Sequence, residues 1–426
     1  MIKIQIFTQN AWQTAAYVSL KGSRIDGAAA ETTFEYDPQY VDRYVNKAGS
    51  YAVSCHLPVT YEIKELPHSP AFLLDLFPQG MALKYVVEKL GIRDDKKNYW
   101  KILEEAPIAP PGNLRIQSGT FEKIVLDQHP GFERAEVLQK GTEFLKYMVD
   151  HGAPTSGSTG AAGAAPKFML SEDQNGKFHA PNALSAAKTR KFWLVKFPRG
   201  QKTATDRNIL RTEKLYYEIA KWFGLKTTSS PIEWDSDCLF VPRFDREVKG
   251  TNVAHYGLES FYSLANEINF GSRLEHETYI IAINKFSTKK IEDTLEYIFR
   301  EFLNEMMGNT DNHGRNTSMF KQDDQVEISP LYDFAPMQFD SEGIVRNTNW
   351  SKKSADGTIE GIGDFLASEK IVSFDIFKEA LSKKLPKIKD LKKKMQAIGV
   401  PAEFIQGTLT DRNRRIKEIE DFCSNA

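Results

Sequence analysis

The most informative segment of the chain is Gly308-Asn309-Thr310-Asp311-Asn312-His313-Gly314-Arg315-Asn316. A second informative segment, Leu331-Tyr332-Asp333-Phe334, follows it. Asp311 and Asn316 have the spacing of the protein-kinase catalytic loop, in which the aspartate accepts the proton of a substrate hydroxyl and the asparagine binds a metal ion. Asp333 stands where kinases have the metal-binding aspartate of Asp-Phe-Gly. The stretch predicts a site for phosphoryl transfer, with an Asn- and Asp-rich surface turn as the alternative.

The hydrophobic pattern predicts the local structure around this stretch. Apolar residues recur at helical intervals through residues 291–306, and a glycine follows as a helix stop. Val326 and Ile328 alternate with polar neighbours, as in a short strand. We therefore expect Asp311 in a loop at the end of a buried helix, and Asp333 beyond a strand end beside that loop.

Composition bounds the class of protein. The chain has 426 residues, enough for two or three domains. Its 56 basic and 57 acidic residues give a net charge of -1, so no overall field attracts nucleic acid or an anionic membrane. The three cysteines form no metal-ligand pattern, and no apolar run is long enough to span a membrane. We expect a cytoplasmic protein that reaches DNA only through a partner.

Three domains are predicted from the pattern along the chain. Residues 1–116 mix short alternating segments with an amphipathic helix at 72–90, which is typical of a small α+β domain. Residues 117–245 contain a small-residue loop, apolar strands and a helix predicted at 132–149, although a glycine lies in the middle of that helix. Residues 246–426 are mostly helical in pattern.

The small-residue loop spans residues 151–167 and consists mainly of Gly, Ala, Ser and Thr. Small side chains let backbone N–H groups approach phosphate oxygens, and Gly157, Gly160 and Gly163 can adopt the positive φ angles of an anion-binding nest. No Gly-Lys-Ser/Thr follows, so this is not a Walker A motif. The segment is a candidate nucleotide loop, with a flexible linker as the alternative.

A buried ion pair is predicted from the strand and helix that follow. Lys196 lies within the apolar run Lys191-Phe192-Trp193-Leu194-Val195-Lys196-Phe197-Pro198, where a lysine is costly unless it is paired. Glu213 lies on the apolar face of a helix predicted at 207–223, which Gly224 would end. Phosphate and Glu213 would satisfy Lys196, as in protein kinases. The alternatives are a lysine that snorkels to water and a glutamate that reaches solvent.

Two further charged segments leave alternatives open. Arg243-Phe244-Asp245-Arg246 follows a short strand, in the place where kinases offer backbone groups to adenine; the alternative is a strand exit with solvated charges. Seven lysines lie in residues 383–394 and predict a solvated helix face, or else a surface for an acidic partner.

In this order the motifs resemble those of the HipA family of serine/threonine kinases, the toxins of bacterial toxin–antitoxin pairs. The match is carried by Gly308-Asn309-Thr310-Asp311 with His313 and Asn316, by Arg243-Phe244-Asp245-Arg246, and by Trp193-Leu194-Val195-Lys196-Phe197-Pro198. The resemblance implies an α+β, protein-kinase-like two-lobed fold with a small N-terminal α+β domain and a helix-rich C-terminal lobe. It also implies ATP and Mg²⁺ as cofactors, a protein substrate with a Ser or Thr hydroxyl, and a small HipB-like DNA-binding antitoxin as partner.

The resemblance further implies roles for individual residues. Asp311 would be the catalytic base, and Asn316 and Asp333 would bind Mg²⁺. The implied ATP-binding set comprises Lys196, Glu213, Gly160, Gly163, Lys167, Arg243, Phe244, His313, Gly314, Arg315 and Asn316.

The family's small-residue loop can carry a serine whose autophosphorylation ejects the loop and silences the enzyme. Here the family spacing, counted back from Lys167, places Gly160 where that serine would stand. The candidate autophosphorylation sites are therefore the nearby hydroxyls of Ser156, Ser158 and Thr159.

The resemblance points to a translation component as the substrate, such as an aminoacyl-tRNA synthetase. Two other functions stay open: a small-molecule kinase, because the same parts could serve a sugar or antibiotic hydroxyl, and a weakly active module that mainly binds the antitoxin. The complete set of Asp311, Asn316 and Asp333 favours an enzyme.

Overall fold

The computed structural model describes residues 1–78, 80–105, 110–117, 125–151, 166–199 and 202–424. The chain divides into two compact units. The first unit comprises Met1–Gly200, Ser230–Phe270 and Phe320–Gln325, and the second comprises Gln201–Ser229, Gly271–Met319 and Val326–Ala426. The division into three domains stays a prediction.

Among the described residues the strands are β1 (Ile2–Thr8), β2 (Ala11–Leu20), β3 (Thr32–Tyr36), β4 (Lys64–Leu66), β5 (Leu114–Ile116), β6 (Lys167–Asp173), β7 (Phe178–His179), β8 (Thr189–Lys196), β9 (Glu233–Asp235), β10 (Cys238–Pro242), β11 (Arg246–Lys249), β12 (Asn252–His255), β13 (Gly257–Ser260), β14 (Leu274–Glu275), β15 (Ser318–Gln322), β16 (Gln325–Ile328) and β17 (Thr348–Asn349). The helices are α1 (Pro38–Tyr44), α2 (Leu73–Leu76), α3 (Gly80–Leu90), α4 (Tyr99–Glu104), α5 (Arg134–Gln139), α6 (Thr142–Asp150), α7 (Ala204–Phe223), α8 (Phe261–Leu264), α9 (His276–Phe286), α10 (Lys290–Met307), α11 (Ile359–Ser368), α12 (Phe374–Ala397), α13 (Ala402–Gly407) and α14 (Leu409–Ser424).

Two antiparallel sheets form the centre of the first unit. The first has the order β4-β3-β2-β1-β5, and the second has the order β7-β6-β8-β10-β9. Each sheet packs against its own hydrophobic core. The predicted N-terminal strand is confirmed, because Ile2, Ile4 and Ile6 are all buried in β1. Strand β8 confirms the predicted apolar strand and carries Lys196 at its end.

The second unit is mainly helical, and α7 begins and ends at strong capping residues. Thr203 accepts the N–H of Asp206 at 3.2 Å, and Gly224 adopts the left-handed conformation at φ 88°. The helix therefore extends three residues further towards the N-terminus than the prediction. In the part of the chain that is described, no helix is both long and apolar enough to cross a membrane.

The lysine-rich segment lies on α12 and is only partly solvated. Lys384 donates to the carbonyl oxygen of Phe223 at 2.8 Å, and Lys387 donates to that of Trp222 at 2.7 Å. Both carbonyls belong to the last turn of α7, where cations interact favourably with the helix dipole. Two of the seven lysines therefore stabilise the end of the helix that carries Glu213.

Two predictions of single continuous helices were wrong. The segment at 72–90 forms α2 and α3, because Pro78 lies between them and cannot donate a helical hydrogen bond. The segment at 132–149 forms α5 and α6, and Lys140 between them adopts φ 50°. Gly141 follows that turn, so the glycine that weakened the prediction lies at the break.

The tip of the hairpin β15–β16 packs on residues 47–51 of the first unit. The N–H of Ser50 donates to the carbonyl oxygen of Asp323 at 2.8 Å, and Lys47 pairs with Asp324 at 2.8 Å. A Cβ at Gly49 would lie 2.0 Å from the Asp323 oxygen, so this close approach requires glycine. These contacts anchor the tip of the hairpin, which lies between Asn316 and Asp333 in the chain.

A buried ion pair joins the same hairpin to strand β13, which carries Glu259. The side chains of Lys321 and Glu259 are each 1% exposed, with their charged atoms 3.2 Å apart. Glu259 also accepts from the Ser54 hydroxyl at 2.6 Å and the Cys55 N–H at 2.9 Å. Burial alone would raise the pKa of Glu259, but the Lys321 charge and these hydrogen bonds outweigh burial and hold the pKa below its ordinary value.

We predict that Lys321→Met lowers the free energy of unfolding by about 3–5 kcal/mol, because it leaves the Glu259 carboxylate buried without its charge partner. Lys47→Met is the matched control, since it removes the exposed partner of Asp324, which lies at the tip of the same hairpin. This change should lower the free energy of unfolding by less than about 1 kcal/mol. Urea unfolding of both variants measures the difference. Equal losses of unfolding free energy in the two variants would show that the buried ion pair contributes no more to stability than the exposed one.

Candidate active site

The loop that carries Asp311 begins where helix α10 is forced to end. Gly308 adopts the left-handed conformation at φ 73°, and its N–H and that of Asn309 cap the last turn. A Cβ at Gly308 would lie 2.8 Å from the side chains of Gln338 and Thr408. The predicted helix and its stop are confirmed, and the start of the loop is fixed by packing.

Asp311 and Asn316 are held together inside this loop. The Asn316 side chain donates from Nδ2 to the backbone carbonyl oxygen of Asp311 at 2.7 Å. The Asn316 N–H also donates to the carbonyl oxygen of His313 at 2.9 Å. Gly314 is buried within the same turn. The five-residue spacing therefore closes a compact loop, as the sequence predicts.

His313 contacts the Asp311 carboxylate. The N–H of Arg315 donates to His313 Nδ1 at 3.2 Å, so this nitrogen is an acceptor and the neutral ring carries its proton on Nε2. His313 Nε2 lies 3.4 Å from Asp311 Oδ1. The imidazole therefore lies beside the Asp311 carboxylate, outside hydrogen-bonding geometry.

Asp333 lies next to the loop in space. The Tyr332 hydroxyl donates to the carbonyl oxygen of Arg315 at 2.8 Å and lies 2.6 Å from the Ser318 hydroxyl. Tyr332, the residue before Asp333, is therefore hydrogen-bonded to Arg315, the residue before Asn316, so Asp333 lies beside the loop as expected. Asp333 itself adopts φ 52°, a left-handed conformation that is uncommon for residues other than glycine.

Asn316 and Asp333 each carry a side-chain oxygen of the kind that Mg²⁺ takes as a ligand. Because Asn316 donates through Nδ2, its Oδ1 remains as the acceptor end of the amide. Mg²⁺ takes oxygen ligands, and at nucleotide sites one or two protein groups are completed by phosphate and water. Among the described residues, no three His, Cys, Asp or Glu side chains form a group that could hold a metal.

Two lysines predicted to contact ATP lie side by side in the first unit. Lys167 on β6 and Lys196 on β8 are direct cross-strand partners, so their side chains emerge on the same face of the sheet. They are only 8% and 4% exposed. Both lysines therefore lie on one buried face of this sheet.

Glu213 is 4% exposed on α7 in the second unit, so it does not reach solvent freely, and the sequence-based alternative for this residue is wrong. Its pairing with Lys196 stays a prediction. Five residues with a predicted role in ATP binding or autophosphorylation lie outside the described part of the chain: Gly160, Gly163, Ser156, Ser158 and Thr159.

Comparison with known families now decides the assignment. The profile of the HipA-like C-terminal domain matches residues 159–398, and that of the HipA N-terminal domain matches residues 18–117. The chain belongs to the HipA family. Comparison with curated protein sequences gave no match.

Solved structures agree with the family at the level of the fold. HipA of Shewanella oneidensis MR-1, which was solved with HipB and its operator DNA, resembles this chain with a TM-score of 0.67 and 14% sequence identity. The match covers 100% of each of the two chains. The predicted kinase-like two-lobed fold is confirmed. The Helicobacter pylori proinflammatory kinase CtkA is 15% identical and covers 63% of this chain and 94% of its own, but its TM-score of 0.40 is too low to add support.

In this HipA-family chain the segment from Arg243 to Arg246 forms a buried cluster of ion pairs. Asp245 accepts from Arg243 Nε at 2.9 Å and Nη2 at 2.6 Å, from Arg246 at 2.8 Å and from the Gly112 N–H at 2.9 Å. Burial would raise the pKa of Asp245, but both arginines outweigh it and hold the pKa below its ordinary value. The alternative of solvated charges is therefore wrong. Contacts of Arg243 and Phe244 with ATP stay predictions.

Sequence reasoning missed Asn312, whose side chain anchors the loop that contains Asp311. Asn312 accepts the N–H groups of Asn347 and Thr348 at 3.1 and 3.2 Å and donates to the carbonyl oxygen of Thr348 at 2.8 Å. Its Nδ2 also lies 3.3 Å from Glu301 of α10, which pairs with Arg346 at 3.5 Å. Burial raises the pKa of Glu301, although Arg346 opposes the shift.

The signal for Asn312 was weak, because a residue between Asp311 and His313 looks like part of a turn. Its partners Asn347 and Thr348 lie more than thirty positions away, so no local pattern indicates them. The contacts join the catalytic loop to the segment that follows Asp333. Side-chain hydrogen bonds thus order this segment.

We predict that Asn312→Ala lowers the free energy of unfolding by about 3 kcal/mol, because the buried N–H of Thr348 and the partly buried N–H of Asn347 lose their acceptor. Hydrogen exchange at the amides of Asn347 and Thr348 should accelerate in the folded protein. The exposed Asn269→Ala is the control and should change the free energy of unfolding by less than about 0.5 kcal/mol. Unchanged exchange at 347–348 in Asn312→Ala would contradict the anchoring role.

Proposed function

We propose that the chain is an ATP- and Mg²⁺-dependent protein kinase of the HipA type, acting on a serine or threonine hydroxyl. The observation that carries the proposal is the closed loop in which Asn316 binds the Asp311 backbone and His313 faces the Asp311 carboxylate. Such a loop can hold one base and one metal ligand in a fixed relation. Family membership supports the same class of chemistry.

Each residue has a definite task in this proposal. Asp311 accepts the proton of the substrate hydroxyl as its oxygen attacks phosphorus, and His313 orients the carboxylate. Asn316 and Asp333 would hold Mg²⁺, which neutralises phosphate charge when bound. Lys167 and Lys196, which lie on one face of the sheet, would contact the phosphate oxygens.

We further propose a cytoplasmic toxin that binds a small HipB-like antitoxin and meets DNA only through it. The solved Shewanella complex contains HipA, HipB and operator DNA, and the present chain matches its HipA over the whole length. The net charge of -1 supports an indirect route to DNA. A translation component is the proposed substrate. Co-expression with a small basic antitoxin should give a complex that shifts operator DNA, whereas the chain alone should not.

Asp311→Asn tests the proposed chemistry, because it removes the base while keeping the shape of the side chain. Phosphate transfer from labelled ATP to lysate proteins should fall roughly 10²- to 10⁴-fold. Asp364→Asn is the control, since Asp364 is exposed on α11 and its variant should transfer at the wild-type rate. Phosphoproteomics after induced expression of the wild type and of Asp311→Asn would identify the substrate.

Two outcomes would contradict this assignment. If Asp311→Asn still transfers phosphate at the wild-type rate, Asp311 is not the catalytic base. Labelling of a metabolite pool, with lysate proteins unlabelled, would replace the protein kinase by a small-molecule kinase.

The proposal extends to self-regulation at Ser156, Ser158 or Thr159. A phosphate on this loop adds about two negative charges beside those of the nucleotide, so repulsion should expel the loop and weaken ATP binding. Intact-mass analysis after incubation with Mg²⁺ and ATP should show phosphate on this peptide and a matching loss of ATP affinity. A variant with alanine at all three positions is the control. An unmodified wild-type loop would refute self-regulation at this site.

A further inference from the structure

Helix α9 carries a buried carboxylate that binds part of the chain beyond Asp333. Glu277 lies in the first turn of α9 and has 0% of its surface exposed. Its Oε1 accepts the N–H of Ser351 at 3.0 Å and the Ser351 hydroxyl at 3.1 Å, and it also accepts the hydroxyl of Ser354. One carboxylate oxygen therefore receives three donors from residues 351–354.

The other oxygen of Glu277 is buried without a donor. Within the described part of the chain, no group lies in hydrogen-bonding geometry to Oε2. The N-terminal end of α9 favours a negative charge at this position. An unpaired buried oxygen nevertheless lowers stability, and an apolar side chain would avoid that cost. Packing alone therefore does not explain a glutamate at this position.

The residues just before Ser351 are bound to the loop that contains Asp311. Asn312 accepts the N–H groups of Asn347 and Thr348, and the Thr348 hydroxyl donates to the carbonyl oxygen of Asn312 at 2.9 Å. Strand β17 also pairs in parallel with β14, which directly precedes α9. Asn312 is the neighbour of Asp311 in the chain, so a shift of residues 347–349 would move the backbone next to Asp311.

Trp350 lies between these two sets of contacts and is packed from both sides. The centroid of its ring lies 4.6 Å from that of the buried imidazole of His276, the residue before Glu277. A Cβ at Gly357 would lie 2.4 Å from the Trp350 ring, so the indole lies directly against the glycine backbone. Residues 347–354 are therefore held against α9 at one end and against the Asp311 loop at the other.

We propose that Glu277 is a positioning residue for the catalytic base: its hydrogen bonds fix residues 347–354 against the Asp311 loop and so keep Asp311 in place to accept the proton of the substrate hydroxyl. The inference rests on the proposed kinase function. In protein kinases, phosphorylation often orders the segment that follows the metal-binding aspartate. Here a buried carboxylate that belongs to the fold orders the corresponding segment without a modification.

Glu277→Ala removes the acceptor of all three hydrogen bonds, whereas Glu277→Gln keeps one oxygen in its place. At saturating ATP, Glu277→Ala should transfer phosphate from labelled ATP to lysate proteins roughly 10- to 100-fold more slowly, because a displaced base is costly in rate. The KM for ATP should not change, since the hydrogen-bond partners of Glu277 include none of the residues proposed to bind ATP. Glu277→Gln should recover most of the lost rate.

Asp293→Ala is the matched control for a loss of stability alone. Asp293 is 3% exposed on α10, and its Oδ2 accepts the Ser287 hydroxyl at 2.6 Å and the N–H of Ile328 at 2.9 Å. Its loss should lower the unfolding midpoint but leave the rate of transfer close to that of the wild type, because neither partner belongs to the Asp311 loop or to residues 347–354. Equal slowing in Asp293→Ala and Glu277→Ala would overturn the positioning role.

Hydrogen exchange gives a second measurement that needs neither ATP nor transfer. The amides of Thr348 and Ser351 should exchange faster in Glu277→Ala than in the wild type, and at the wild-type rate in Asp293→Ala. If Glu277→Ala does not fold, Ser354→Ala removes one donor to the same oxygen and should accelerate exchange at Ser351.

The two measurements separate this inference from the proposed function. Unchanged exchange at these amides, or a wild-type rate of transfer in Glu277→Ala, would overturn the positioning role. A wild type that transfers no phosphate would refute the proposed function, and the exchange rates would still decide whether Glu277 holds residues 347–354.

Discussion

The end of helix α10 is the constraint on which the candidate site depends. The helix is buried along most of its length, so its last turn cannot shift without disturbing the core. Gly308 then reverses the chain in a space that admits no Cβ. Because Asp311 follows only three residues later, the position of the proposed base is set by helix packing rather than by the loop itself.

Side-chain hydrogen bonds to the backbone transmit that position to the rest of the loop. Asn316 holds Asp311, Tyr332 holds Arg315, and Asn312 holds the segment at 347–348. Each bond satisfies backbone groups that a loop would otherwise leave to water. The site is therefore rigid without regular secondary structure, which suits a reaction that depends on positioning.

Buried charge is used in two different ways in the first unit. Lys321 and Glu259 neutralise each other and fasten the hairpin between Asn316 and Asp333. Lys167 and Lys196 are instead direct cross-strand partners on β6 and β8, and both are buried. The first pair is structural, whereas the second is proposed to meet phosphate.

The sequence by itself determined the local elements and the catalytic spacing. The helix before Gly308, the strand that ends at Lys196 and the loop from Asp311 to Asn316 all follow from short-range periodicity and turn chemistry. The breaks after Leu76 and Gln139 fall near Pro78 and Gly141, which are local signals present in the sequence. The contacts of Asn312 and Asp245, in contrast, are visible only in the tertiary structure, because their partners lie tens to more than a hundred positions away and no local pattern encodes them.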